Sequence, residues 1–122
     1  MIRIKRLDHI QICIPIGKEK EARGFYSNII GLKEIAKPTE LIPNGGLWFQ
    51  VGEIQLHIGV ENEINNSKRH PAFEVEDILA ARKILEINKI KIKEETQVPG
   101  QIRFSFFDPF NNRIEFLQKI NS

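Results

Sequence analysis

A chain of 122 residues with 41% hydrophobic and 28% charged residues has the balance of an ordinary globular domain, which excludes a disordered or collagen-like polymer. Eighteen basic and sixteen acidic residues give a net charge of +2 and are interspersed, so no single-sign block offers itself to nucleic acid or to anionic lipid. The lone cysteine, Cys13, excludes an intramolecular disulfide and a thiolate zinc cluster, and no apolar stretch is long enough for a membrane span or a secretory leader, so the chain is expected in the cytoplasm with nitrogen and oxygen donors for any metal.

Taken in chain order, Leu7 to Pro15 alternates as a strand, with His9, Gln11 and Cys13 on one face and Ile10, Ile12 and Ile14 on the other. The isoleucine face is the one expected to be buried. Lys18 to Ile29 carries Ala22, Phe25, Tyr26 and Ile29 at helical spacing, with Gly31 as the left-handed residue that closes the helix. Three strand-sized runs follow, Lys33 to Ala36, Gly46 to Val51 and Glu53 to Val60, divided by Pro43-Asn44-Gly45-Gly46 and by Gly52. The order to this point is β-α-β-β-β.

Residues 61–68 are polar and read as a linker, after which the order begins again. Arg69 to Val75 reads as a strand, Ile78 to Asn88 as a helix with Ile78, Ala81, Leu85 and Ile87 apolar, and Lys89 to Glu95, Gln101 to Phe107 and Asn112 to Ile120 as three strands. Asp108-Pro109-Phe110-Asn111-Asn112 makes the last turn. Superposing the halves puts His9 on His70 and Ile54-Gln55-Leu56 on Ile114-Glu115-Phe116, because nearly the same interval separates the members of each pair. The expected fold is therefore α+β: one domain over residues 1–122 built from two βαβββ modules, about 1–62 and 69–122. The modules are expected to pair about a pseudo-two-fold axis, within a chain or by exchange in a dimer, with mixed sheets forming a cup.

The polar face of the first strand carries His9 and Gln11, one face of the fourth carries Gln55 and His57, and the second module adds His70 on its first strand and Glu115 on its last. Two imidazoles and a carboxylate make a facial set that holds a divalent first-row metal and leaves positions open for substrate oxygens. Glu115 stands inside the apolar run Ile114 to Leu117, where a carboxylate is costly unless paired or bound to an ion. His57 by itself reads equally well as a hydrogen-bonded structural histidine. Gln11, Trp48, Arg103 and Ser105 are candidates for the rest of a substrate cavity. Arg103 could hold an anionic substrate group or could be a surface arginine beside Gln101. Phe49, Phe104, Phe106 and Phe107 read first as core.

Leu7-Asp8-His9-Ile10, Phe25-Tyr26-Ser27-Asn28-Ile29-Ile30-Gly31-Leu32, the segment His70 to Asp77 and the segment Asp108 to Phe116 resemble the vicinal oxygen chelate superfamily, which includes glyoxalases, bleomycin-resistance proteins and extradiol dioxygenases. The resemblance spans nearly the whole chain. It implies paired βαβββ modules, frequent dimerisation, a small-molecule substrate, and a divalent metal (zinc, nickel, manganese, iron or cobalt) on four equivalent strand positions. Those positions are His9, Gln55, His70 and Glu115, with His57 able to replace Gln55 as ligand or to act as a base or substrate contact. Glu115 and His57 are then the candidate catalytic groups. The implied chemistry is bidentate chelation of a substrate through neighbouring oxygens, of lyase or isomerase, thiol-transfer or dioxygenase type. The neutral Gln55 departs from a two-carboxylate glyoxalase site, and Ser105 stands where fosfomycin-modifying relatives carry a tyrosine. A non-catalytic, ligand-sequestering protein of the bleomycin-resistance type is the alternative from another class.

Overall fold

The alternation that begins the chain becomes an edge strand: β1 (His9–Pro15) lies parallel to β4 (Ile54–Glu61) in a computed structural model that describes residues 1–62 and 67–120. With β2 (Lys33–Ile35) and β3 (Leu47–Val51) they form a four-stranded sheet in the order β1-β4-β3-β2, every other pairing being antiparallel. The parallel pair needs a crossover, which α1 (Glu19–Arg23) and the chain after it supply. Register decides what each face carries. Ile10, Ile12 and Ile14 align with Leu56, Ile58 and Val60, and Leu47 and Phe49 with Ile58 and Leu56, so these side chains share the apolar face. Ile14 and Phe49 are fully buried there, and the ring of Phe49 meets that of Tyr26 at 6.0 Å.

Two features of this unit, which spans residues 1–64, differ from the sequence expectation. The single helix expected over Lys18 to Ile29 is α-helical only to Arg23 and then widens into a π turn over Gly24–Ile29, with the Ile30 N–H donating to the Phe25 carbonyl at 3.0 Å. The wider turn lets the consecutive rings of Phe25 and Tyr26 both bury. Gly31, at φ +89, closes the helix as expected. The stretch Thr39–Asn44, of which the sequence marked only Pro43-Asn44-Gly45-Gly46 as a divider between strands, forms a short 3-10 turn that ends in Gly45 and Gly46 at φ +74 and +89. A Cβ on Gly46 would lie 2.0 Å from the Ile58 carbonyl oxygen, so only glycine lets this segment cross so close to β4. The Gly46 N–H donates to Glu19 Oε2 at 3.2 Å and ties the segment to the first turn of α1.

Residues 65–122 form the second unit and repeat the plan: β5 (Ala72–Glu74), α2 (Ile78–Ile87), β6 (Ile92–Glu94), β7 (Gln101–Phe107) and β8 (Arg113–Lys119), in sheet order β5-β8-β7-β6 with β5 parallel to β8. Residues 63–66 of the expected linker lie outside the described residues. The strand expected from Arg69 is shortened to three residues because the parallel ladder would next require an N–H from Pro71, which has none. Asp77 caps α2, its Oδ1 accepting from the Ala80 N–H at 3.1 Å. Ile78 and Leu85 are buried as expected, whereas Ile87, two residues beyond Leu85, falls on the outer side and is exposed. Phe104, Phe106, Ile114 and Phe116 make the core, with Phe106 edge-on to Phe116 at 4.6 Å. The Asp108 carboxylate shapes the last turn by accepting from the N–H groups of Phe110 and Asn112 at 2.9 and 2.8 Å.

Candidate functional site

On the polar face of the first sheet, His9 sits opposite Gln55, Gln11 opposite His57, and His57 opposite Trp48. The three rings stack: His57 lies 3.8 Å from Trp48 at 3° and 4.0 Å from His9 at 18°. His9 Nδ1 bonds Asp8 Oδ2 at 2.9 Å, and Asp8 Oδ1 accepts from Arg6 at 3.2 Å. The bond from His9, helped by the Arg6 charge, holds the Asp8 carboxyl below the usual aspartate range. The carboxylate can only accept, so the bonded hydrogen sits on His9 Nδ1, and Nε2 is the ring nitrogen that faces away from Asp8. His57 Nε2 meets Gln55 Oε1 at 2.9 Å, and burial, with the neighbouring His9 charge, lowers the His57 pKa and keeps the ring neutral at pH 7. A cavity of about 700 Å³ opens over this face, lined by His9, Gln11, Trp48, Gln55 and His57 from the sheet and by Lys37, Leu41 and Asn44 from the segment before β3. That volume is within the range of small-molecule sites.

The second unit collects charge in the corresponding place. Glu115, 5% exposed, receives His70 Nε2 at 3.1 Å and Arg103 Nη1 at 3.2 Å on the same oxygen. His70 Nδ1 lies 2.8 Å from the Lys68 carbonyl oxygen, which can only accept, so this nitrogen carries a proton. Nε2 therefore faces the carboxylate either as a second N–H, making an ion pair, or as a lone pair that needs a cation between the two groups. The geometry fits a metal ligand pair with its outer nitrogen anchored. Arg103 also donates to the Thr96 carbonyl at 2.9 Å, so it is a bound partner of Glu115 and not a loose surface arginine. Ser105 is fully buried, beneath Arg113, whose Nε lies 3.4 Å from its hydroxyl and whose Nη2 donates to Glu95 at 2.7 Å. Among the described residues, no group of three or more His, Cys, Asp or Glu side chains is placed to hold a metal ion.

Strand pairing gives a different equivalence between the halves from the one read by interval. Trp48 faces His57 across β3 and β4, and Ser105 faces Glu115 across β7 and β8. On the parallel side, His57 stands opposite Gln11 and Glu115 opposite Ala72, each two residues past the module's first histidine. His57 and Glu115 are also each the middle of three consecutive buried residues. The partner of Glu115 in the first unit is thus His57 by register, with Gln55 one step nearer the start of β4.

A family model for the Glyoxalase/Bleomycin resistance protein/Dioxygenase superfamily matches residues 6–116. The chain belongs to this superfamily. Among solved structures, a glyoxalase family protein from Bacillus anthracis is similar at 44% identity and TM-score 0.92, over 98% of this chain and 99% of that one. The fosfomycin resistance protein FosX from Listeria monocytogenes is similar at 18% identity and TM-score 0.77, over 97% and 96% of the two chains. Lactoylglutathione lyase from Agrobacterium tumefaciens is similar at 17% identity and TM-score 0.73, over 94% of each. The last two likenesses concern the fold. A search of curated proteins finds no match.

For this glyoxalase-superfamily chain, sequence reasoning named the residues that do stand together within each unit: His9, Gln11, Trp48, Gln55 and His57 in one, His70, Arg103 and Glu115 in the other. It missed Asp8, for which adjacency to His9 was an available signal, and the half-buried Glu95–Arg113 pair, whose carboxylate lies just past the end of β6 while its arginine opens β8. Lys37 and Asn44 carried no signal, because they belong to a segment with neither helical nor strand alternation.

Proposed function

We propose that this superfamily member is a metal-dependent enzyme acting on a small molecule with two neighbouring oxygens. His9, His70 and Glu115 serve one divalent cation, zinc, nickel, manganese, iron or cobalt, and His57 or Gln55 supplies the fourth position. The observation that carries the reading is the anchoring of both histidines: each has Nδ1 tied to a fixed acceptor, which leaves Nε2 as the coordinating atom. Register favours His57 over Gln55 for the fourth place. A bound divalent cation would supply Lewis acidity toward the chelated oxygens.

The chain's own groups then divide the work. Glu115 carries the negative charge and can hold a proton at Oε1 when His70 or Arg103 shifts away. His57 is a neutral imidazole whose Nε2–H donates to Gln55 Oε1, which leaves Nδ1 as the ring nitrogen able to accept a proton. Gln11 and Trp48 shape the cavity around the substrate, and Arg103 fixes Glu115. Lyase or isomerase, thiol-transfer and dioxygenase reactions all use this constellation. The protein acts in the cytoplasm as a homodimer on this reading; no helix among the described residues is long and apolar enough to cross a membrane.

One observation favours the second reading, sequestration without catalysis: the first unit has a cavity of ligand size on its own. Metal content separates the two. Protein purified without chelator from metal-supplemented growth should hold close to one equivalent per chain, whereas less than about a tenth of an equivalent would support sequestration. His70→Ala should lose the metal and keep the fold, since a site residue and no core packing is removed; global unfolding would mark a structural histidine.

A further inference from the structure

The cavity of the first unit holds one uncompensated charge. Lys37 lines it, half-buried, and donates one N–H to the Gly45 carbonyl, but among the described residues it makes no ion pair. The cavity's carboxylate, Asp8, has both oxygens occupied, one by His9 and one by Arg6. Glu19 reaches the same segment, yet its Oε2 takes the Gly46 N–H. An ammonium has three donors, so two N–H groups of Lys37 remain for a ligand. A half-buried cation with no counter-ion attracts an oxyanion more strongly than an exposed one does, because screening is weaker there. Around it stand neutral amides, Gln11 and Asn44, and the Trp48–His57 stack. Gln11 is held in place against Gly59, where a Cβ would come within 2.7 Å of its Nε2.

We propose that Lys37 is the anion-recognising group of this cavity and that the ligand taken there is a small organic oxyanion, a carboxylate or a phosphonate. The inference rests on reading the first unit's cavity as the substrate pocket, and it needs no metal. It also moves the anion-holding role from Arg103, whose charge is committed to Glu115, to a residue in the segment before β3.

Trp48 is the sole tryptophan and lies in the cavity, so its fluorescence reports occupancy. Chelator-treated protein is titrated with benzoate, phenylphosphonate and the neutral benzamide at constant ionic strength. Wild-type protein should give a saturable change with at least one anion, with benzamide and the Lys37→Gln variant each weaker by about tenfold and Lys37→Arg within about threefold of wild type. The two anions separate carboxylate from phosphonate preference. Equal binding of benzoate, phenylphosphonate and benzamide by wild type, equal anion binding by a folded Lys37→Gln, or no saturable response at all overturns the proposal. The wild-type comparison decides the matter even if the glutamine variant fails to fold. Protein that shows this anion selectivity but never loads metal would refute the metal reading and leave this one standing.

Discussion

The two units share strand order and sheet topology but use the same sheet face in opposite ways. In the first, the face is neutral and aromatic: three stacked rings and two amides under an open cavity, with Lys37 at its margin. In the second, the face is a charge network, with Glu115 between His70 and Arg103 and Glu95 against Arg113. A duplicated scaffold thus carries two different surfaces, an open cavity in one copy and a paired charge network in the other. Glu115, buried, and Glu95, half-buried, are tolerable in the second copy because each has an arginine, and the buried Asp108 because backbone N–H groups satisfy it.

This contrast can be broken from either side. The largest expected effect is in the first unit, where Gly46→Ala should cost about 4 kcal/mol or prevent folding. The alanine would need a strained backbone and would press on the Ile58 carbonyl. Urea unfolding measures it, and a loss below about 1 kcal/mol would show that the segment relaxes away from β4.

Next comes the division of charge: Glu115→Gln should weaken metal affinity by about a hundredfold or more, while Gln55→Ala should weaken it by no more than about tenfold. Competition with a coloured chelator reads both. His57→Ala should be the more damaging of the two first-unit variants, and the reverse order would mean that interval, and not register, relates the halves.

The smallest effect sharpens the account of the second unit. Burial raises the Glu95 carboxyl pKa, but Arg113, with help from the Ser105 hydroxyl and Lys93, outweighs it and holds the group below its ordinary range. A carboxyl depressed on folding contributes stability that is full above the unfolded value near 4.5 and is lost as pH falls through the lower folded value. Glu95→Gln should therefore cost about 2 kcal/mol at pH 7 and progressively less in acid, as urea midpoints across pH would show. A constant cost down to strong acid would mean that the ion pair contributes nothing.

Most of the architecture was legible because periodicity and repetition are properties of the chain itself: Ile10, Ile12 and Ile14 mark one strand face, and His9 and His70 open matching modules. The departures come from backbone chemistry that patterns do not carry. Pro71 ends a ladder, Phe25 and Tyr26 widen a helix to bury both rings, and Gly46 permits an approach that only the third dimension reveals. The site was legible as a set of residue types and not as an arrangement. Interval alone aligned Gln55 with Glu115, because counting along a chain does not say which residues pair across strands; hydrogen bonding does, and it points to His57. Arg103 was ambiguous for the same reason, since nothing in the order of residues says that it reaches Glu115.

Whether one cation engages both units is answered by calorimetric titration of the metal-free protein with zinc, comparing wild type with His9→Ala from the first unit and His70→Ala from the second. The expected result is about one high-affinity equivalent per chain in wild type and its loss in both variants, with unchanged unfolding midpoints. A full equivalent retained when either histidine is removed would contradict the shared site and leave two units that are alike in fold alone.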